Sequence, residues 1–404
     1  MSAKLEAFFR REWQRSGVWQ LVLRPVSWVY GAVVAARALL YRMGVLKRVA
    51  VGVPVIVVGN LTAGGAGKTP LVLALAHHLR ERKPGVISRG YKARQGTLAD
   101  EAALVQSRLG IPVEAHADRV EAANTVLARA PETRILIADD GLQHTRLQRD
   151  IEIVVVDGAR GFGNGALIPA GPLREGLGRL HSVDAIVVNT AGSGSLLGLG
   201  VEVPRVSAEP VEGRESPEDA SSDANVRQPS QDRGKSFGGA ELPHARNGAH
   251  FGPKMAEKPR QMANLHSVLQ LSGVPVFEMR YGNERFVAVS ACAPSMTAQA
   301  FTAQTASQRI VAVAGIAAPE KFFAHLDALG LTLNATYAFD DHHVFTQREL
   351  SRIDADVIVM TEKDAVKCAG FNDARLVMMQ IDALLPNAFF AFIDSTLSRK
   401  HHGA

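Results

Sequence analysis

Lys68-Thr69 closes the stretch Thr62-Ala63-Gly64-Gly65-Ala66-Gly67. A lysine and a hydroxyl at the end of a glycine-rich turn are a set that grips a polyphosphate. Glycines at 64, 65 and 67 let backbone N–H groups approach phosphate oxygens. Lys68 would reach the β- and γ-phosphates of a nucleoside triphosphate, and the Thr69 hydroxyl would ligate Mg²⁺. The strict pattern opens on glycine, and here Thr62 opens it. Asp139-Asp140 follows an apolar run, where an acidic residue sits beside the metal of such sites. Gln143 and His144 share its loop and would face the phosphates. Arg174 could hold a phosphate bidentately and Glu175 could serve the metal. Asp100-Glu101 and Asp341-His342 are candidates for deprotonating an acceptor hydroxyl, because a carboxylate orients an imidazole and raises its basicity. Their spacing leaves open whether they meet, and a surface-loop role for His342 stands beside the catalytic one.

These residues need elements to carry them. Val55–Val58 reads as a buried strand running into the glycine loop, and Leu71, Leu75 and Leu79 mark one face of the helix that follows. The helix start is positive, which suits phosphate, and Pro70 is tolerated in its first turn. Short strands are expected at 85–91, 111–115, 134–138, 151–156 and 185–188, with helices at 100–109 and 119–130. Alternation of this kind implies a parallel sheet covered on both faces, with ligands at the strand carboxyl ends. Thr62–Thr69, Tyr91, Asp139 and Asp157 all fall at such ends. Further on, 276–281 and 286–289 suggest a hairpin about Gly282-Asn283. Strands at 310–314 and 357–360, a helix at Phe322-Phe323 and a capping box at Thr346-Gln-Arg-Glu349 complete a smaller α/β unit. The Thr361-Glu-Lys-Asp364 loop ends its last strand, near the nucleotide.

Composition bounds the rest. The chain has 404 residues, 47% hydrophobic, and two cysteines, Cys292 and Cys368, too few for a disulfide framework or a zinc site. Lys4, Arg10, Arg11, Arg15, Arg24, Arg37, Arg42, Lys47 and Arg48 stand against Glu6 and Glu12 in the first 48 residues. The remainder of a chain of net charge +5 is therefore slightly acidic, which argues against nucleic-acid binding. Trp13, Trp19 and Trp28 also lie in that basic stretch, beside the apolar run 26–46. This is the composition of a helix at a membrane interface, with a helical hairpin on the protein's own core as the alternative. Residues 208–270 are rich in Pro, Ser, Gly and charge and read as a disordered insertion. The expected organisation is a membrane-interface segment at 1–48, a nucleotide-binding core at 49–200, the insertion at 208–270 and a second domain at 271–395 closing over the site.

Taken together these stretches resemble the tetraacyldisaccharide 4′-kinases of lipid A biosynthesis. The likeness rests on Thr62–Thr69, Ser88-Arg-Gly-Tyr91, Asp139-Asp-Gly-Leu-Gln-His144, Asp150–Asp157, Phe162-Gly-Asn-Gly165, Pro169–Glu175 and Met360–Lys367. It implies a P-loop fold and transfer of the ATP γ-phosphate to the 4′-hydroxyl of a membrane-embedded acylated disaccharide. It also implies Mg²⁺ and work at the cytoplasmic face of the bacterial inner membrane, with no obligate protein partner. The family's catalytic Asp carries over to Asp100, where Ala99-Asp-Glu-Ala102 stands for a Gly-Asp-Glu-Pro-like motif, and its second-domain Asp-His carries over to Asp341-His342. A reading from another class is a P-loop ATPase acting as a switch for a partner protein, docking through the insertion.

Overall fold

Val55–Gly59 (β1) is buried at every position, as a run of β-branched residues flanked by strands on both sides must be. The computed structural model describes residues 17–90, 100–190, 258–290 and 294–401, together with Phe9, Glu12 and Trp13. Tyr91, Cys292 and residues 208–257 of the expected insertion lie outside the described residues. Helix α1, Val18–Arg42, comes first in order. Beyond β1 come α2 Lys68–His78, β2 Pro84–Ser88, α3 Asp100–Leu109, β3 Val113–Ala115, α4 Arg119–Arg129, β4 Ile135–Asp139, β5 Ile151–Asp157 and β6 Ala185–Asn189. After the insertion come α5 Lys258–Ser272, β7 Val276–Ala288, β8 Met296–Thr297, α6 Ala298–Gln304, β9 Ile310–Ala314, α7 Pro319–Ala328 and β10 Leu333–Ala338. The chain then forms α8 Gln347–Ser351, β11 Val357–Thr361, α9 Glu362–Cys368, β12 Leu376–Leu384 and α10 Asn387–His401.

The strands join in one 12-stranded sheet ordered β10-β9-β11-β12-β7-β6-β5-β1-β4-β2-β3, with β8 paired to β7. Strand β7 is the hinge of this order. Its first residues pair parallel with β6, Asn189 opposite Met279, and the rest pairs antiparallel with β12, Leu384 opposite Arg280. The carboxyl ends of β6 and β12 therefore meet at the middle of β7. Two parallel half-sheets turn their ligand-binding edges towards one crevice.

That arrangement corrects two expectations. Gly282-Asn283 is no hairpin turn. It lies inside the 13-residue strand β7, where Asn283 takes a positive φ of 53° and the register with β12 slips between Gln380 and Asp382. The partner that a hairpin would have supplied comes instead from β12. The insertion expected over 208–270 also runs too far, since residues 258–270 belong to α5. Leu265 and Leu269, four apart on one face, are buried against the core behind β5 and β6. Burying a leucine is worth about 1.5–3 kcal/mol, enough to hold a turn of helix that composition averaged away.

Each half has a core on both sheet faces. One face of the first half packs α2, α3 and, from the far end of the chain, Phe389, Ile393 and Leu397 of α10. The other packs α4 and α5. In contrast, α1 has Ser27 as its buried residue, while Trp19, Leu21, Val22, Val26, Trp28, Val29 and Val33 are exposed. Among the described residues it is one helix over 18–42, long and apolar enough to cross a membrane by length and composition.

Candidate active site

The glycine loop links β1 to α2, whose first residues are Lys68 and Thr69. Gly67 stands at a φ of 93°, and a Cβ there would lie 2.4 Å from Asn189 Nδ2 and 2.5 Å from the Tyr281 hydroxyl. Glycine is required on both counts. Asn189 Nδ2 donates to Ala66 O at 3.2 Å and to the Tyr281 hydroxyl at 2.8 Å, which backs the loop from β6 and β7. Buried Asn60 organises the front, donating through Nδ2 to Thr62 O and Gly64 O while its Oδ1 accepts from Lys68 Nζ at 3.2 Å. Thr62 opens the loop where glycine is usual because it runs extended, bridging Leu173, with Ala63 N donating to Pro172 O. A side chain is tolerated in that conformation.

Asp139 ends β4 opposite Val58 of β1, so the Asp139-Asp140 pair falls beside the glycine loop. Asp140 carries a positive φ of 50° and lies 3.4 Å from Lys68 Nζ and 3.1 Å from Arg174 Nη1. Burial opposes its ionisation, but Lys68 and Arg174 outweigh that and hold its carboxyl below the usual range. Asp139 goes the other way, because burial and then the Glu101 carboxylate push it well above that range. Its Oδ1 is buried without a hydrogen-bond partner, which suits a cation ligand. Arg174 Nη1 also reaches Gln143 Oε1 at 3.3 Å, and Gln143 Nε2 donates to Glu175 Oε1 at 2.9 Å. His144 does not share this arrangement. Its Nε2 accepts from Arg119 N and lies 3.5 Å from Asp118 Oδ1, because the helix opening at Asp118 offers it partners on the other side of the loop.

Asp100 opens α3 in the first half of the sheet, and His342 follows β10 in the second. His342 Nδ1 and Asp100 Oδ2 are 2.9 Å apart across 242 positions of sequence. Asp341 Oδ1 is 4.0 Å from the other ring nitrogen of His342. Burial works against ionisation of Asp100, but the His342 hydrogen bond, then Lys367 and Lys363, hold its carboxyl below the ordinary range.

A glycine-rich loop ending in Lys68-Thr69, a pair of carboxylates beside it and a carboxylate–imidazole pair across the crevice are parts that a phosphotransferase needs. A family model described as tetraacyldisaccharide-1-P 4′-kinase matches residues 19–198 and 252–398. The chain belongs to this family. It is 36% identical over 406 residues to the tetraacyldisaccharide 4′-kinase of Herminiimonas arsenicoxydans, covering 95% of this chain and 94% of that one. It is 32% identical over 416 residues to that of Methylobacillus flagellatus, covering 99% and 98%. A crystal structure of LpxK from Aquifex aeolicus, titled as a complex with ATP, shares the fold at a TM-score of 0.63 and 22% identity. That match covers 94% of this chain and 100% of the other.

Two groups in the family site escaped sequence reasoning. Buried Arg119 donates through Nη2 to Asp139 O at 3.2 Å and Asp140 O at 3.4 Å, fixing the peptide between the two acids. Nothing in its position at the start of α4 marks it. Asn60 had a faint signal, as a polar residue between a buried strand and a glycine loop. Helix α1 also reaches the site. Tyr30 donates to Arg174 O at 2.9 Å, and Ser27 Oγ donates to Leu167 O at 2.9 Å while accepting from Ala170 N at 3.0 Å. Trp13 Nε1 donates to Pro169 O. Asp157 ends β5 and takes Arg160 Nε at 2.8 Å and Lys321 Nζ, from α7, at 3.0 Å.

Proposed function

We propose that this chain transfers the γ-phosphate of ATP to the 4′-hydroxyl of a tetraacylated glucosamine disaccharide 1-phosphate, a step of lipid A biosynthesis. The observation that carries the reading is the Asp100–His342 pair, assembled from both halves of the sheet at the crevice that the glycine loop lines. A switch ATPase has no use for a base aimed at an organic hydroxyl, and its nucleotide loop would serve without one.

The chemistry follows from the placement. Amides of the glycine loop and the start of α2 receive the polyphosphate, and Lys68 neutralises charge on its β- and γ-groups. Lys68 is held by Asn60 and Asp140, so little reorganisation is needed when phosphate arrives. Thr69, Asp139 and Asp140 would hold Mg²⁺, with Gln143 and Glu175 as further contacts, and its charge would offset that of the transferring phosphate. Arg174, which grips Asp140 beside the glycine loop, would steady the phosphates bidentately. Asp100 removes the 4′-hydroxyl proton as the oxygen attacks in line, and His342 orients that carboxylate and takes up the charge change. The second half, residues 271–395, closes over the first and excludes water from ATP.

The exposed apolar face of α1 supports association with a membrane, where an acylated acceptor is concentrated. The working place is then the cytoplasmic face of the bacterial inner membrane, where ATP is available. The test is transfer of label from γ-labelled ATP to the detergent-dispersed disaccharide. Label in the lipid, lost in Lys68→Ala, supports the kinase. Release of free phosphate alone, with the lipid present, supports the switch.

A further inference from the structure

Thr361-Glu-Lys-Asp364-Ala-Val-Lys367 ends β11 and forms α9, and no step so far uses it. It does not lie as an isolated strand-end loop. Helix α9 packs on α3, the helix that Asp100 opens, through Lys363 Nζ on Glu101 Oε1 at 3.0 Å and Glu362 Oε2 accepting from Arg108 Nη1 at 2.8 Å.

Asp364 sits at the centre and is fully buried. Its Oδ2 accepts from Thr361 Oγ1 at 2.7 Å and from Gly315 N at 2.9 Å, and its Oδ1 is 2.7 Å from Lys367 Nζ. From there two arms run to His342. Gly315 O accepts from His342 N at 3.0 Å. Lys367 Nζ donates to His343 O at 2.9 Å and stands 3.7 Å from Asp100 Oδ2, the oxygen that meets His342. The backbone is thus held on both sides of His342, whose φ of 64° is one that a non-glycine residue keeps only where its surroundings enforce it.

We propose that Asp364 and Lys367 are positioning residues for the kinase reaction: they fix His342 on Asp100, and the Lys367 ammonium keeps Asp100 ionised and ready to accept a proton. This rests on the kinase reading for the role of Asp100, whereas the cluster itself does not. The ammonium and the Asp100 carboxylate are both largely withdrawn from water, 10% and 21% exposed, so solvent screens their attraction poorly. Among the described residues, the other charges facing Asp100 are His342, Asp341, Lys363 and its partner Glu101. Lys363 pairs with Glu101 at 3.0 Å and Lys367 with Asp364 at 2.7 Å, and Lys367 Nζ also stands 3.7 Å from the Asp100 oxygen that meets His342. The sign follows. Without the ammonium Asp100 holds its proton to higher pH, and a base that must be ionised is lost earlier on acidification.

The experiment compares the pH profile of kcat in wild type, Lys367→Met and Lys367→Arg, with ATP and the acylated disaccharide both saturating. The expected result is an acid limb moved up by about one pH unit in Lys367→Met, largely restored in Lys367→Arg, with KM for ATP unchanged. An acid limb that stays with wild type while kcat falls would overturn the proposal and leave Lys367 a packing residue. If Lys367→Met does not fold, Lys367→Gln takes its place. Titration of the Asp100 carboxyl ¹³C resonance, assigned through Asp100→Asn, reads the same shift without turnover. An inactive enzyme with a shifted resonance would sink the kinase reading and keep the placement, while an active one with an unshifted resonance would do the reverse.

Discussion

The Tyr30 hydroxyl donates to the backbone carbonyl of Arg174 across 2.9 Å, joining α1 to the residue that grips Asp140 beside the nucleotide loop. A helix with an exposed apolar face is thereby attached to the loop that flanks the proposed phosphate site. Ser27 strengthens the attachment by bonding Leu167 and Ala170 in the same loop. Tyr30→Phe removes the hydrogen bond and keeps the ring. The expected loss is about 0.5–1.5 kcal/mol of anchoring, seen as a lower kcat with unchanged ATP affinity. Equal kcat in the two proteins would show that α1 and the catalytic loop act independently.

Asp100→Asn keeps the shape of the pair and cannot accept a proton. Transfer to lipid is expected to fall by about 10²–10⁴-fold, with ATP binding retained. His342→Gln should fall less, because the carboxylate remains. Rapid-quench measurement of the chemical step separates this from slow product release. A chemical step of wild-type speed in Asp100→Asn would remove Asp100 as the base.

Asp157 joins the two halves through Lys321 and stands beside the nucleotide loop through Arg160, which also donates to Gly65 O. Burial opposes its ionisation, but Arg160 and Lys321 prevail, so its carboxyl titrates below its ordinary value of 3.8. A depressed folded pKa gives stability that is fully present above the unfolded value and lost as pH falls through the folded one. The difference in Tm between wild type and Asp157→Asn should therefore be wide at about pH 6 and close as pH drops below about 4. A difference that does not change with pH would mean that the carboxylate's charge contributes nothing.

Trp19 and Trp28 are 56% and 70% exposed on α1, more than a helix packed on its own protein would leave. Replacing both with glutamine should lower partition into anionic phospholipid vesicles, read by flotation, while ATP binding is unchanged. Retained flotation would move the membrane contact away from this face.

Legibility in the sequence followed how local each feature is. Strands such as Val55–Gly59 are apolar throughout and buried at every position, so they could be read directly. The Thr346 capping box was equally plain, since both of its hydrogen bonds close within four residues. Gly282-Asn283 misled because turn chemistry is local, while the antiparallel partner is β12, far along the chain. In the site, Lys68 and Thr69 announced themselves by spacing. Asp100 and His342 did not, since only the meeting of two half-sheets at Met279 and Arg280 brings their loops together. Family likeness named both residues, and the geometry pairs them. Arg119 acts through backbone carbonyls, which leave no trace in residue type, and Asn60 left only its polarity between a buried strand and a glycine loop.

The most direct measurement is the position of the new phosphate. ³¹P–¹H correlation NMR of the purified product, made from ATP and tetraacyldisaccharide 1-phosphate, identifies the proton coupled to each phosphorus. The expected product carries a second phosphomonoester coupled to H-4′, formed by wild type and absent with Lys68→Ala. A diphosphate at position 1, a phosphate on another hydroxyl, or lipid recovered unchanged beside free phosphate would contradict it.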